Sequence, residues 1–268
     1  ALGLTAIATS FWVKETLTLK PADLASLAVW LSLPWAMKMV FGQLVDSVPI
    51  FGSQRRIYIF IGAGTIAAGL LMLAGASSGT ITVLSPDTIY IAASLVMVLG
   101  IVIQDVVADA MSTEVVDRTD AEGNPRPKAV VERELGMVQV LGRLAISIGI
   151  FAVAGLGGWL AQAVSATLVF LIGLAVPAIS VIGAMAVRLE TAKPKPVDRK
   201  LLLGGLAFGA FVTVLGVSGL EFSQEIVFVV SLAVIVLMIR RVTGVLSPDR
   251  RRQIALAALL IFLCRATP

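Results

Sequence analysis

Residues 57–76 read IYIFIGAGTIAAGLLMLAGA, an uncharged run preceded directly by Arg55 and Arg56. A helix rises about 1.5 Å per residue, so a run of this length covers the roughly 30 Å of hydrocarbon in a bilayer. Its apolar residues are continuous instead of alternating, which argues against a barrel strand. Inside lipid, a helix is then the way to pair every backbone amide within the segment.

Working outward, runs of the same kind occupy 22–45, 88–111, 134–160 and 166–187. The opening stretch, 1–13, is too short to span and reads as the tail of a helix. Two shorter runs follow at about 201–218 and 224–239, and a last helix is expected from about 252 to Pro268. Of the 268 residues 58% are hydrophobic and only 14% charged, with a mean hydropathy of +0.97. A soluble domain of this size needs more polar surface than that. The fold class expected is all-α, a polytopic transmembrane helix bundle.

The net charge of +4 could suggest a nucleic-acid partner, but the basic residues form no single patch. Sixteen of the 21 fall in alternate loops, at Arg55 and Arg56, at 118–133, at 188–200 and at 240–252. The opposite loops hold Lys14 and Lys20 and little else. By the positive-inside rule the first set is cytoplasmic, which also excludes nucleic-acid binding as the reason for the charge. With no His and a single Cys, Cys264, no disulfide framework, zinc site or histidine-based catalysis is expected. No cleavable signal peptide is read, because no basic region precedes a short apolar stretch. The pair at 201–218 and 224–239 reads as a hairpin, with Gly205 and Gly209 as a small-residue face for close helix packing.

Three segments carry a resemblance. Residues 34–56 read PWAMKMVFGQLVDSVPIFGSQRR, in which Gly42, Asp46, Arg55 and Arg56 resemble the loop between the second and third helices of major facilitator superfamily transporters. The spacer SVPIFGSQ, with the upstream PW and Lys38, is similar to the folate–biopterin transporter branch. Residues 104–116, QDVVADAMSTEVV, resemble the fourth helix of that branch, and RATP at 265–268 the start of its seventh. The bacteriochlorophyll-delivery proteins have a related spacer and are the neighbouring alternative.

The resemblance implies two six-helix bundles rocking about a central site, with folates or pterins as substrates and proton coupling as an option. On that plan residues 1–188 are an N-terminal six-helix bundle, 189–200 a cytoplasmic linker and 201–240 an extra hairpin. Residues 241–268 are then a cytoplasmic loop and the start of the second half. Both ends stop inside helices, so the chain is read as part of a longer protein. The membrane implied is a bacterial inner membrane, with the Arg55/Arg56 loop and 188–200 in the cytoplasm.

Ionisable residues inside spans are costly and therefore candidates for function. They are Lys38, Asp105, Asp109, Arg143 and Arg265. Asp105 and Asp109 share a helix face, and Gln139 lies one turn before Arg143. Lys38, Asp105, Asp109 and Arg143 fall in one depth band, where two cations and two carboxylates should pair. In one reading Arg143 or Lys38 holds a substrate carboxylate while an aspartate bonds a pterin-like amino group or carries a proton. In the other, the four form an ion-pair network that holds the cytoplasmic gate. Arg143 is the deepest and the first choice for substrate contact; Arg143→Gln should abolish uptake while leaving insertion intact.

Trp12, Trp30, Trp35 and Trp159 read as interfacial anchors or packing, and Gly155, Gly157 and Gly158 as close-packing positions. Glu114 and the charges of 117–134 read as a solvated surface. No nucleophile–base pair, phosphate loop or metal cluster appears, so neither an enzyme nor a cofactor is expected. The partners expected are the lipid bilayer and a small anionic organic substrate such as folate or pterin. The alternative function is an assembly factor or structural subunit with partner subunits in a membrane complex.

Overall fold

A computed structural model describes residues 2–53, 55–120, 122–186, 196–218, 220 and 222–243, together with 247, 249, 252–257 and 260. Arg265, Cys264 and most of the linker 188–200 lie outside the described residues. Between residues 2 and 243 the described residues form, in order, α1 (Leu2–Thr16), α2 (Pro21–Ala36), α3 (Lys38–Ser47), α4 (Arg56–Ser77), α5 (Pro86–Glu114), α6 (Lys128–Ala163), α7 (Ala166–Gly173), α8 (Ala175–Ala186), α9 (Arg199–Val217) and α10 (Ser223–Thr243). No β-strand occurs among the described residues. Among the described residues five segments are long and apolar enough to cross a membrane, at Pro21–Ser47, Arg56–Ser77, Pro86–Glu114, Lys128–Ala163 and Ala166–Ala186. The chain divides into two units, Ala1–Ala207 and Phe208–Pro268.

Two of the expected continuous spans are broken. The run at 22–45 divides at Met37 into α2 and α3, where Val40 donates to the Met37 carbonyl at 2.8 Å in a tighter turn. Pro34 weakens the helix just before the break by removing one N–H. The run at 166–187 divides at Leu174, three residues before Pro177, whose ring cannot accommodate the carbonyl of residue 173 in a regular helix. The span expected at 134–160 starts earlier, at Lys128, because Pro127 stands at its N-cap with a φ already near helical values.

The core of the first unit is built around α4 and α5, the largest helix–helix contact among the described residues. Their axes come close because glycines face backbone across the crossing. A Cβ on Gly62 would lie 2.8 Å from the Gly100 carbonyl, one on Gly100 2.6 Å from the Gly62 carbonyl, and one on Gly69 2.8 Å from the Ala93 carbonyl. One cluster at this crossing joins Leu70, Leu73, Ala93 and Met97 to Trp12 of α1 and Phe170 of α7. A second joins Val45 of α3 and Tyr58 of α4 to Val98, Val102, Val106 and Val107 of α5. Trp12 meets Tyr90 and Phe170 edge-on at 6.2 and 6.0 Å, so it is a packing residue. Trp35 and Trp159 are exposed.

Of the three glycines expected to pack closely on α6, Gly157 does so, with a Cβ 2.7 Å from the Leu4 carbonyl. Gly158 faces the end of Ile7 at an ordinary 3.4 Å, and Gly155 meets nothing within 4 Å. The difference follows from where α6 touches α1, which is near its end. Through 136–156 α6 is largely exposed, and Gly136, Gly142 and Gly149 are also open. Gly205 does pack, facing the Val40 side chain of α3.

Candidate functional site

The spacer between Asp46 and Arg55 decides the local geometry. Ile50 and Ser53 exchange backbone hydrogen bonds at 3.1 and 3.0 Å, closing a two-residue turn. Phe51 and Gly52, its central residues, have φ of 48° and 76°. Positive φ at both positions is what a type I′ hairpin turn requires. The reversal folds the spacer back on itself and returns Arg55 to Asp46. Phe51 is 94% exposed and gains no packing for its left-handed backbone. Phe51→Asn is expected to stabilise the protein by about 0.5–1 kcal/mol, since Asn tolerates this conformation; unchanged or lower resistance to denaturant in detergent would refute this.

Arg55 is the centre of the arrangement and only 3% exposed. Its Nη2 donates to Asp46 Oδ1 at 2.9 Å and to Glu114 Oε1 at 2.5 Å, and its Nε donates to Glu114 Oε2 at 3.2 Å. Nη1 donates to the Val45 carbonyl at 3.3 Å. Burial works against its charge, but the hydrogen bonds and charges of Glu114 and Asp46 more than offset this, so the guanidinium is held above its ordinary pKa. The forked guanidinium meets Glu114 in two-point fashion, a geometry lysine cannot supply. Arg55 thus ties the end of α3 to the end of α5. Tyr58 of α4 adds a second tie, donating to the Val48 carbonyl at 2.9 Å.

Glu114, expected to be solvated, is therefore a member of the site. The signal that could have found it is the need of a buried arginine for a counter-charge at the end of a neighbouring helix. Gly42 is not a close-packing position. A Cβ there would sit 3.9 Å from Val106, an ordinary contact, so α3 and α5 do not require a glycine at that point.

About two turns away from Asp46, Lys38 Nζ donates to Asp105 Oδ2 and to Asp109 Oδ2, the latter at 2.6 Å. The i, i+4 spacing on α5 puts both carboxylates on the face that α3 approaches. Lys38 and Asp105 are about one-third exposed and Asp109 two-thirds. The cluster is therefore open to water or to a ligand on one side. The expected four-member network is corrected on one point. Arg143 and Gln139 are exposed on α6 and do not join Lys38, because that part of α6 does not close against α3. Among the described residues no carboxylate pairs with Arg143.

The charges of 117–134 are also more ordered than a freely solvated surface. Thr119 and Pro125 bridge across a turn at Gly123, and Arg126 forks onto Glu134 at 3.1 and 2.6 Å. Among the described residues no group of three or more His, Cys, Asp or Glu could hold a metal.

The BT1 family matches the chain over residues 1–268. The folate-biopterin transporter of Synechocystis sp. is 32% identical over 204 residues, covering 73% of this chain and 37% of that protein. The probable folate-biopterin transporter 4 of Arabidopsis thaliana is 25% identical over 194 residues, covering 72% of this chain and 36% of that protein. Folate transporter 1 of Plasmodium falciparum matches a shorter stretch, 30% identical over 63 residues, 24% of this chain and 12% of that protein. The chain thus spans little more than a third of the two relatives it matches most extensively. No solved structure matches. A helical bundle with five membrane-length apolar segments, matched to the family along its whole length, is an integral membrane protein that belongs to the BT1 family.

Proposed function

We propose that the full-length protein transports folate- or pterin-like compounds across a membrane by alternating access, and that this chain belongs to the first of two major-facilitator-type bundles. The observation that carries this reading is the Arg55 bridge between α3 and α5, set beside the open Lys38–Asp105–Asp109 cluster. A buried, multiply bonded cation between two helix ends can hold one arrangement of the bundle and release it in another. The names of the relatives supply the substrate class. The distribution of Lys and Arg supports placing the Arg55 loop in the cytoplasm, and a bacterial inner membrane fits that orientation.

Two cations have distinct parts in this reading. Lys38 is neutralised by two carboxylates and serves the gate. Arg143 lies within an apolar span without a carboxylate beside it among the described residues, so an anionic substrate can supply its counter-charge. Arg143→Gln is accordingly expected to reduce uptake at least tenfold with normal insertion, and wild-type uptake in that variant would remove Arg143 from the site.

The test of the whole reading is uptake of labelled folate and pterins by proteoliposomes containing the full-length protein. Saturable uptake competed by unlabelled folate is the expected result. No uptake by correctly inserted protein would refute transport of this class and direct attention to co-purifying membrane subunits.

A further inference from the structure

At the end of the first unit remote from Arg55, α1, α2 and α5 line an open cavity of about 570 Å³. Its place is fixed by α5, along which Tyr90 and Glu114 stand about 36 Å apart by helix rise. The volume lies within the range of small-molecule sites, about 300–1,000 Å³. One wall is α2, which presents Pro21, Leu24, Leu27, Ala28 and Leu31 over about 15 Å. The other is α1, with Val13 below and Lys14 at the rim, and Tyr90 closes the third side. Tyr90 is braced from behind by the buried Trp12 ring.

The rim is a built structure. Leu17 and Leu19 line the cavity on either side of Thr18, and Thr18 is held by Asp87 at the start of α5. Its N–H donates to Asp87 Oδ1 at 3.1 Å and its hydroxyl to Oδ2 at 2.7 Å. Asp23, the nearest acid on α2, is occupied by the Lys20 N–H at 2.9 Å. No Asp or Glu lines the cavity, and Glu15 is exposed outside it. Lys14 is thus the one formal charge in the lining, and among the described residues no carboxylate pairs with it. Ser10 uses its proton on the Ala6 carbonyl at 2.9 Å, which leaves its oxygen as an acceptor beside Lys14.

We infer that this cavity is a second binding site, taking an elongated aromatic carboxylate with its acid on Lys14 and its ring between Tyr90 and the leucines of α2. The inference deepens the transport reading and rests on it for the substrate class. The two sites are arranged along one helix path. The inner end of the cavity at Leu31 is seven residues, about 10 Å of rise, from Lys38. A substrate entering at Lys14 has the gate cluster ahead of it.

The test uses full-length protein in nanodiscs, with Trp12 as the single remaining tryptophan and folic acid as the probe. The pterin ring accepts tryptophan emission, so binding beside Tyr90 quenches Trp12. Uptake by the same variants gives the kinetic counterpart. Lys14→Gln is expected to raise both the half-quenching concentration and the uptake KM about tenfold, with maximal rate retained and Lys14→Arg restoring both. Wild-type uptake with an unchanged KM in Lys14→Gln overturns the cavity site and leaves the transport reading standing. Wild-type protein that neither quenches nor transports overturns both. A Lys14→Gln effect present only in nanodiscs with anionic phospholipid assigns Lys14 to a lipid headgroup and overturns the site.

Discussion

Gly100→Val is expected to prevent the protein from reaching a stable fold. At the α4–α5 crossing the first atom of any side chain on residue 100 lies 2.6 Å from the Gly62 carbonyl and 2.9 Å from Ile66 Cγ1, and collides with the Thr65 hydroxyl. Two of these neighbours are side chains that can turn, but the carbonyl belongs to a helix and cannot move without the whole of α4. Opening the crossing would loosen the cluster of Leu70, Leu73, Ala93 and Met97, all buried. Overpacking of this kind costs about 3 kcal/mol, a large share of a stability on the order of 5–15 kcal/mol. Gly64→Val on α4, the other helix of the crossing, is the control, since nothing lies within 4 Å of its Cβ position. Monodisperse protein in detergent and resistance to denaturant are the readouts. Equal behaviour of the two variants would show that α4 and α5 do not cross as closely as described.

Arg55→Ala is expected to have the second largest effect, and on both stability and transport. It removes the cation set between Asp46 and Glu114, whose side chains are 23% and 33% exposed. Removing one partner of a fully buried pair costs about 3–5 kcal/mol. Water at the two carboxylates screens part of this, so about 2 kcal/mol is expected here. Arg55→Lys should recover little, because a point charge cannot fork onto Glu114 while also reaching Asp46. The triple variant Arg55→Met, Asp46→Asn, Glu114→Gln removes the three charges together and should regain stability without regaining transport. That separation is what distinguishes a gate from a staple. Wild-type uptake in the triple variant would make the bridge structural only.

The membrane bundle was legible in the chain because its cause is local. Each span is a continuous run long enough for the hydrocarbon, and no partner is needed to specify it. The breaks at Met37 and Leu174 were less legible. Pro34 and Pro177 mark weakened hydrogen bonding, but where the helix yields depends on what packs against it. Lys38, Asp105 and Asp109 were placed together from depth and helix phase alone, and the structure agrees. The same reasoning put Arg143 with them and failed. Depth is a one-dimensional quantity read from position along a helix, whereas pairing needs the azimuth and separation of α6, which only packing sets.

The Arg55 bridge shows the division most clearly. Gly52 in the spacer signals a turn, and a buried arginine signals acids nearby. That the turn closes at Ile50 and Ser53, and that Glu114 arrives from α5 to complete the bridge, required the tertiary fold. The cavity beside Lys14 was not visible at all, since its walls come from three helices separated in sequence. By itself the sequence determined the span-forming segments, the charge asymmetry of the loops and the glycines available for close approach, all consequences of local composition. The tertiary structure alone decided which glycines meet backbone, which acid neutralises which cation and where space remains, because those depend on helices meeting across the bundle.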